Sequence, residues 1–583
     1  MVKRIAVVDN NKLKDMDKKK HIASLCPINR GGSECMYFDG THLLIDENQC
    51  IGCGICSNAA PESIKIINLP SHLQQEPIHR YSKNGFALYN LPVPVFGKVV
   101  GILGRNGIGK STAMKILGGL FTPNFGNFER EGTWDDLIAR FKGSEAQLYF
   151  EKVKAGEITV SYKPQQVDLI PQSTTGTVGE VLKRVDGRDK FEEIVDALDL
   201  RNVLDNDIKK ISGGELQRLA IAAAVLKKAN LYVFDEPTSF LDIKQRIRVG
   251  KFLRSLADED TAVLVVEHDL IILDYMTDLI HIMYGRETAY GVVSHPMTTK
   301  AGINEYLDGF LSDGNMRFRD KKITFERKQS FSKSLRETLT SWGELKKSLG
   351  QFSIKTTPGE VKRKDVVGVL GENGIGKTSF IKMLAEEIEP DSGAVDEKVT
   401  VSYKPQYIDT TSEELVVSAL DHAIKHYEGL LVKPLNLEPL FYRQLRELSG
   451  GELQRVSIAI CLAKEADLYL MDEPSAYLDV EQRLLISKVL RDFMEIKGKT
   501  AVVIDHDLLF VDYLSDKILV FDGTPAKEGI AHGPFEMIEG MNMFLKDIQL
   551  TFRRDKESNR PRANKVASQM DEKQRKENMW YYL

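Results

Sequence analysis

The sequence has little cysteine, and it is unevenly placed. Of the six cysteines in 583 residues, five lie within the first 56 positions and the sixth is Cys461. A small secreted protein held by disulfides would spread many cysteines over a short chain, so the sequence excludes that class. The skew indicates instead a small metal module at the front of a large cytoplasmic protein.

Long apolar runs and a strong net charge are absent as well. No stretch of about 18 apolar residues occurs, so no transmembrane helix is predicted. The N-terminus soon becomes highly charged and is not typical of a signal peptide; residues 5–8 predict a strand. The net charge is −5, so binding to RNA would need local basic patches. At roughly 100–200 residues per domain, the length predicts about three to five domains.

The chain contains one set of motifs twice, in the same order. GRNGIGKS (104–111) recurs as GENGIGKT (371–378), ISGGELQR (211–218) as LSGGELQR (448–455), and VFDEPTSFLD (233–242) as LMDEPSAYLD (470–479). The serine of the second motif precedes the first aspartate of the third by 23 residues in each half (212 to 235, 449 to 472). Apolar runs lead into the motifs, as buried parallel strands do. Two copies of one α/β domain are therefore predicted.

The copies differ by an insertion. Lys110 precedes Gln165 by 55 residues, whereas Lys377 precedes Gln406 by 29, so the first copy has about 26 more. Helical spacing of apolar residues, interrupted at Gly143, predicts a helix-turn-helix hairpin at about 133–155. Long structured insertions are often functional, and the alternative is a decoration packed on its own domain.

Each copy has the residues of a nucleotide site. In G-x4-G-K-[S/T], small residues let backbone N–H groups approach phosphates, and the following helix start favours negative charge. We expect Lys110 and Lys377 to contact the β- and γ-phosphates. The same motif predicts ATP-binding residues Gly104, Asn106, Gly107, Gly109, Ser111, Thr112, Gly371, Asn373, Gly374, Gly376, Thr378 and Ser379.

Carboxylates at the ends of two strands predict the chemistry. Asp235 and Asp472 are expected to hold Mg²⁺, and Glu236 and Glu473 to act as general bases on the attacking water. The remaining predicted Mg²⁺ ligands are Ser111, Thr378, Gln165 and Gln406. Gln165 and Gln406 can also reach the water, and His268 and His506 can contact the γ-phosphate or fix the glutamate.

Together the motifs resemble the ATP-binding cassette superfamily over roughly residues 70–550, with SGGELQR as its signature. The resemblance implies that two cassettes of one monomer close head-to-tail around two ATP molecules. Ser449, Gly450, Gly451 and Glu452 would then complete the site of Lys110, and Ser212, Gly213, Gly214 and Glu215 that of Lys377. Tyr81, Phe86 and Phe352 are placed to stack on adenine; the alternative is that they are core aromatics.

CIGCGICSNAAP, beginning at Cys50, matches the ferredoxin run C-x2-C-x2-C-x3-C-P except that Ala60 replaces the last cysteine. The only Cys-Pro dipeptide is Cys26-Pro27. We therefore predict one 4Fe–4S site with four ligands, Cys26, Cys50, Cys53 and Cys56. Zinc in the same site, or a metal-free relic, is the alternative.

With tandem cassettes and the hairpin, this module resembles the E subfamily of cassette proteins, the ribosome-recycling ATPases. That family has a ferredoxin-like domain with two clusters. At the second cluster's ligand positions this chain has Leu13, Lys18, Ile22 and Ala60, so one cluster is predicted to be absent. Cys35 is left over, with a structural or incidental role.

The resemblance implies an α/β fold with a ferredoxin-like α+β domain at 1–70, a first cassette at 71–310, a hinge at 311–335, a second cassette at 336–545, and a C-terminal hinge and tail at 546–583. It also implies a cytoplasmic ATP hydrolase without a membrane partner. With a release factor or its stalled-ribosome relative, it would split ribosomes after termination or stalling and stay on the small subunit.

Family resemblance also assigns two kinds of ribosome contact. The hairpin tip (142–144) would meet the small subunit. The basic hinge segments would contact ribosomal RNA; they contain Arg317, Arg319, Lys321, Lys322, Arg553, Arg554, Arg560 and Arg562. The alternative for these segments is a solvated charged linker.

Three other function classes compete with this prediction. An F-subfamily-like translation factor also has tandem cassettes, but it lacks a cysteine module and has a long charged linker. A transporter motor would need membrane partners, which do not explain the cysteines. A redox protein would not need two intact ATP sites.

Overall fold

A computed structural model describes residues 4–69, 73, 76–128, 131–325, 337–396, 399–406 and 411–581. The chain forms two compact units, one of Met1–Pro237, Phe252–Glu267 and Thr277–Lys321, the other of Thr238–Lys251, His268–Met276 and Lys322–Leu583. Of the hinge predicted at 311–335, positions 326–335 lie outside the described residues. Within the described residues, no helix has the length and apolarity needed to cross a membrane.

The N-terminal segment of the first unit pairs its first and last strands, Arg4–Val8 and Ile64–Asn68, in antiparallel fashion, which confirms the strand predicted at 5–8. A hairpin joins Met36–Asp39 to His42–Ile45. The helices are Met16–Leu25, Pro27–Arg30 and Ile55–Ala59.

Three of the four positions that lack a second cluster's ligands lie in this segment's apolar core. Leu13, Ile22 and Ala60 are at most 5% exposed and belong to one core cluster with Ile64, whereas Lys18 is exposed. Buried apolar side chains therefore stand at three of the positions where the family's second cluster has cysteine ligands.

A nine-stranded sheet forms the centre of the first unit. Eight strands run in the order His79–Arg80, Ala87–Tyr89, Tyr290–Val293, Leu279–Arg286, Val99–Leu103, Ala262–Val266, Leu231–Asp235 and Val160–Lys163, and Met297–Thr298 pairs with Leu279–Arg286. The last five of the eight are parallel. Because parallel strands end at one edge of a sheet, the glycine loop, Asp235 and Gln165 come together there.

The predicted helical hairpin is confirmed as Trp134–Arg140 and Glu145–Lys154. Leu137, Tyr149 and Phe150 pack into the first unit's core beside Leu117, whereas Gly143 at the turn is exposed. The body of the hairpin thus packs on its own domain and presents its tip to solvent.

From Lys110 to Asp308 the other helices are Lys110–Leu117, Ile170–Ser173, Val178–Val185, Phe191–Ala197, Arg201–Val203 (3-10), Gly213–Leu226, Ile243–Ser255, Leu270–Met276 and Thr299–Asp308, and Phe310–Leu311 pairs with Met316–Arg317.

The second unit repeats this sheet order with eight strands. They are Lys346–Leu349, Phe352–Thr356, Glu528–Glu536, Lys517–Thr524, Val366–Leu370, Thr500–Ile504, Leu468–Asp472 and Val401–Lys404. The equivalent order confirms the duplicated α/β fold. The helices are Lys377–Leu384, Val416–Ala419, Asp421–Tyr427, Glu428–Val432 (π), Glu438–Leu440 and Leu445–Glu447 (both 3-10), Gly450–Ala463, Val480–Lys497, Leu508–Leu514, Met537–Asp547 and Gln569–Lys576, and Thr338–Trp342 pairs with Gly359–Lys362.

In the C-terminal hairpin, where Phe552–Arg554 pairs with Pro561–Ala563, carboxylates of the second unit bind Arg554, Arg560 and Arg562. Asp274 accepts hydrogen bonds from Nη1 of Arg560 at 3.1 Å and from Nε and Nη2 of Arg562 at 2.6 and 2.8 Å. Arg554 pairs with Asp512 at 3.2 Å. Since Arg560 is fully buried, it is unavailable to RNA in this conformation; burial lowers its pKa despite Asp274.

Candidate functional site

Each phosphate loop ends in a glycine with a left-handed backbone conformation, which favours glycine over other residues. Gly109 and Gly376 have φ of 90° and 93° and begin the helices Lys110–Leu117 and Lys377–Leu384. Lys110 folds its ammonium back onto the carbonyls of Gly104 and Arg105 at 3.0 and 2.7 Å. The ammonium group thus donates to loop carbonyls at the place where it could donate to a phosphate instead.

Oxygen donors for a divalent cation meet at the end of one strand in each cassette. Thr378 donates its hydroxyl to Asp472 at 2.7 Å, and Ser111 hydrogen-bonds to Asp235 in the same way. Burial raises the pKa of both aspartates above the ordinary value. A cation beside them would offset that burial, because it favours the ionised form.

The predicted general bases share an unusual backbone conformation. Glu236 and Glu473 both have φ of 47°. Each accepts a side-chain N–H, from Gln165 at 2.6 Å and from Gln406 at 2.8 Å respectively. The glutamines therefore contact the glutamates, beside the aspartates.

His506 completes the cluster around Glu473 in the second unit. Its Nε2 lies 3.5 Å from Glu473 Oε1. Burial alone would raise the pKa of Glu473, but His506 and Gln406 lower it to about 2. The carboxylate is thus ionised and placed to accept a proton. His268, the equivalent residue, is buried directly before the helix Leu270–Met276.

Two pairs of residues at the glutamates escaped prediction from the sequence. Lys163 and Lys404 donate to backbone carbonyls at the aspartates, and Gln217 and Gln454 donate to the carbonyls of the glutamates. The sequence did hold a sign of them, since KPQ and ELQR are identical in both halves.

The signature motifs begin two helices with capping boxes. Ser212 and Ser449 accept the N–H of Glu215 and Glu452, which in turn accept the serine N–H groups. These glutamates therefore stabilise the helix starts where Gly213, Gly214, Gly450 and Gly451 lie. Within the second unit, Asp242 accepts the N–H of Asn373 at 3.0 Å, so the segment after one cassette's glutamate touches the other's phosphate loop.

The predicted adenine-stacking aromatics lie beside the phosphate loops. A methyl group on Gly109 would come 2.8 Å from the Phe86 ring, and one on Gly376 would come 2.9 Å from Phe352. Tyr81 is 55% exposed and hydrogen-bonds through its hydroxyl to Thr112 at 2.8 Å. Phe86 and Phe352 thus pack on the loops, while more than half of Tyr81 is exposed.

The N-terminal segment is tied to the turn that carries Tyr81. Arg80 donates to Glu47 at 2.9 Å, and Asn84 accepts the N–H of Ile45 at 2.7 Å. The turn that carries Tyr81 therefore also anchors the cysteine-bearing segment.

The four predicted cluster ligands line one small cavity in the first unit. Its other walls are mainly apolar, including Ile28, Ile45 and Ile66. Among the described residues, no three His, Cys, Asp or Glu side chains are arranged to hold a single metal ion. Four thiols around one apolar cavity fit a cluster with thiolate ligands.

Cys35 lines this cavity too, which the sequence did not indicate. Its thiol is 1% exposed. Burial, with Cys26 and Cys50 nearby, raises its pKa to about 12. A protonated thiol therefore lies next to the predicted ligands.

Comparisons with known proteins identify the family. The family model described as ABC transporter matches residues 95–239 and 354–476. "ABC transporter E family member 1" of Arabidopsis thaliana is 42% identical over all of this chain and 99% of its own length. "Translation initiation factor RLI1" of Saccharomyces cerevisiae is also 42% identical, over all of this chain and 98% of its own.

Two solved structures are similar along most or all of the chain. A structure described as the archaeal ribosome recycling factor aABCE1 in complex with the ribosomal stalk protein aP1 has a TM-score of 0.84 at 50% identity, covering 88% of this chain and 100% of that one. Another, a model of ribosome-bound archaeal Pelota and ABCE1, has a TM-score of 0.92 at 48% identity and covers both chains fully. This protein therefore belongs to the E family of ATP-binding cassette proteins.

Proposed function

We propose that the protein is an ATP hydrolase that recycles ribosomes. With a release factor or its stalled-ribosome relative, it splits the ribosome after termination or stalling and stays on the small subunit. The observation that carries this proposal is the full-length similarity to a chain described as ribosome-bound ABCE1, in a protein whose two halves both contain the full set of nucleotide motifs.

Hydrolysis follows from the residues of each site. Lys110 and Lys377 exchange their carbonyl partners for phosphate oxygens, and the loop N–H groups at the helix starts bind the same anion. Glu236 and Glu473 accept the proton of the attacking water, which Gln165 and Gln406 orient together with them. His506 keeps Glu473 ionised and aimed; we assign His268 the same role in the first cassette.

The proposed cofactors fit the donors present. Mg²⁺ would be held by Ser111 and Asp235 in one cassette and by Thr378 and Asp472 in the other, with Gln165 and Gln406 within reach; when bound, it neutralises phosphate charge. Cys26, Cys50, Cys53 and Cys56 would hold one 4Fe–4S cluster. The cluster would serve as a structural staple for a segment too small to bury much core.

Head-to-tail closure of the two cassettes around ATP is the proposed conformational change that drives ribosome splitting. The Asp242–Asn373 hydrogen bond supports it, because it joins a residue that follows the first cassette's base to the second cassette's phosphate loop. The serine-glycine helix starts of the signature motifs would add donors to the γ-phosphate of the opposite site. Tyr81, Phe86 and Phe352 are assigned to the adenine side.

The test is dissociation of purified ribosomes into subunits, followed by light scattering, with ATP and a release factor. We expect splitting by the wild type and none by a Lys110→Ala, Lys377→Ala double variant. Lys115→Ala, an exposed lysine on the same helix as Lys110, is the matched control and should split normally. Splitting that persists in the double variant would contradict the proposal.

The cofactor proposal has its own test. Anaerobically purified protein should absorb near 400 nm and contain iron and sulfide at about four each per chain. Zinc alone, or no metal, would overturn the cluster assignment without affecting the ATPase proposal.

A further inference from the structure

A lysine is buried at the same place in both cassettes. Lys163 and Lys404 end the strands Val160–Lys163 and Val401–Lys404 and are only 1% and 2% exposed. Burying an ammonium is strongly unfavourable unless nearby groups compensate for the lost hydration. Two equivalent burials in one chain indicate that the charge has a use at this position.

The ammonium groups reach the strand that carries the acids. Lys163 and Lys404 lie in parallel register with Phe234 and Met471, one residue before the aspartates. Each Nζ donates to the aspartate carbonyl at 2.9 Å, that of Asp235 or Asp472. Lys163 also donates to the carbonyl of Glu236 at 3.2 Å.

What these lysines hold is a strained peptide. A φ of 47° is uncommon for glutamate and energetically costly, so it persists only where the surroundings impose it. In the second cassette, the N–H of Glu473 donates to Ile504 at 2.9 Å, and Gln454 donates to the Glu473 carbonyl at 2.7 Å. The first cassette has the equivalent bonds, to Val266 at 3.0 Å and from Gln217 at 2.6 Å.

Lysine, glutamine and strand thus fix successive atoms of the Asp-Glu backbone. With its backbone fixed, each glutamate directs its carboxylate toward a glutamine: Glu236 accepts a hydrogen bond from Gln165, and Glu473 accepts one from Gln406. The lysine and that glutamine belong to one K-P-Q sequence, so a single short segment controls both the backbone and the side chain of the base.

We propose that Lys163 and Lys404 are positioning residues for ATP hydrolysis, holding the Asp-Glu peptide in the left-handed conformation from which the glutamate addresses water. They act through the glutamate, because their ammonium groups donate to the carbonyls of the Asp-Glu backbone. This inference rests on the proposed ATPase activity. It predicts a loss in the chemical step with little change in ATP affinity.

The experiment compares Lys163→Met, Lys404→Met and the double variant with wild type. Steady-state ATPase assays give kcat and KM, and a fluorescent ATP analogue gives affinity without turnover. We expect kcat of the double variant to fall about 10- to 100-fold, as for a small misplacement of a reacting group, with KM and affinity within about twofold. Arginine variants, which retain the charge, should recover part of kcat.

Matched controls come from the same repeat. Lys227 and Lys464 are equivalent exposed lysines at the ends of the signature helices, and their methionine variants should leave kcat unchanged. If the Lys→Met proteins do not fold, Gln217→Ala and Gln454→Ala decide, since they remove the other carbonyl contact and should also lower kcat alone.

Unchanged kcat in folded variants, or equal losses in affinity and kcat, would overturn the positioning role. In either case a wild type that hydrolyses ATP leaves the proposed function standing. A wild type without ATPase activity would refute the proposed function itself.

Discussion

Removing the carboxylate of Asp274 should release the C-terminal hairpin. Asp274 is 2% exposed and accepts three hydrogen bonds from Arg560 and Arg562. In Asp274→Ala both guanidinium groups lose this partner, and Arg560 has no exposure to solvent. Breaking a buried ion pair from one side costs about 3–5 kcal/mol. The free energy of opening the hairpin should fall by that amount.

Native-state hydrogen exchange of the intact protein measures this opening, because the amides of 552–554, 562 and 563 report on the hairpin without requiring global unfolding. A loss of about 3 kcal/mol corresponds to exchange more than 100-fold faster. Asp512→Ala is the graded comparison: its partner Arg554 is 21% exposed, so the loss there should be smaller, about 1–2 kcal/mol.

A second change tests the cause. Asp274→Ala with Arg560→Met should exchange more slowly than Asp274→Ala alone, since the buried charge that lost its carboxylate partner is gone, whereas Arg562 still pairs with Asp555. Exchange in Asp274→Ala within about threefold of wild type would refute the reasoning, because the pair would then contribute less than about 1 kcal/mol.

Three further predictions follow from the sites. Cys53→Ser should lose the iron and the absorbance near 400 nm, whereas Cys35→Ala should retain iron at the wild-type level, which metal analysis checks; equal loss in both would make Cys35 a ligand. Gly109→Ala should abolish ATP binding at the first site, measured with a fluorescent analogue in a Lys377→Ala background, because the methyl group would lie 2.8 Å from Phe86 at a φ that disfavours it; normal binding would contradict this. His506→Ala should move the acid limb of the pH–kcat/KM profile upward, measured in a Lys110→Ala background. Losing His506 raises the pKa of Glu473 from about 2, and its base function is lost as pH falls through that pKa; an unmoved limb would refute the role.

Repetition is why the sequence predicted so much of the nucleotide sites. Two ordered copies of the same motifs fixed the fold class, and the hairpin followed from a difference in spacing. The left-handed backbone of the two glutamates could not be predicted from the sequence, because φ depends on contacts that Lys163 and Gln217 make from distant segments. Their identity in both copies was the available sign, but buried cations are rare enough that composition argues against them.

The arginines of the C-terminal hinge show the opposite error. A run of basic residues favours an exposed interpretation when read locally. Arg560 and Arg562 find their carboxylate 286 and 288 residues away, a pairing that no local pattern reveals. Cys35 was missed for the same reason, since tertiary packing alone brings it into the cavity.

The hydrocarbon packing of Leu13, Ile22 and Ala60 bears on how the protein would survive oxidative damage. Metal sites usually form together with the fold around them, so losing the metal unfolds the site. Here these three side chains share one apolar core with Cys26 and Cys56, and the segment is joined through Glu47 to Arg80. If the proposed cluster were lost, this packing would keep part of the segment ordered around the emptied thiols, so that a new cluster could be inserted without complete refolding.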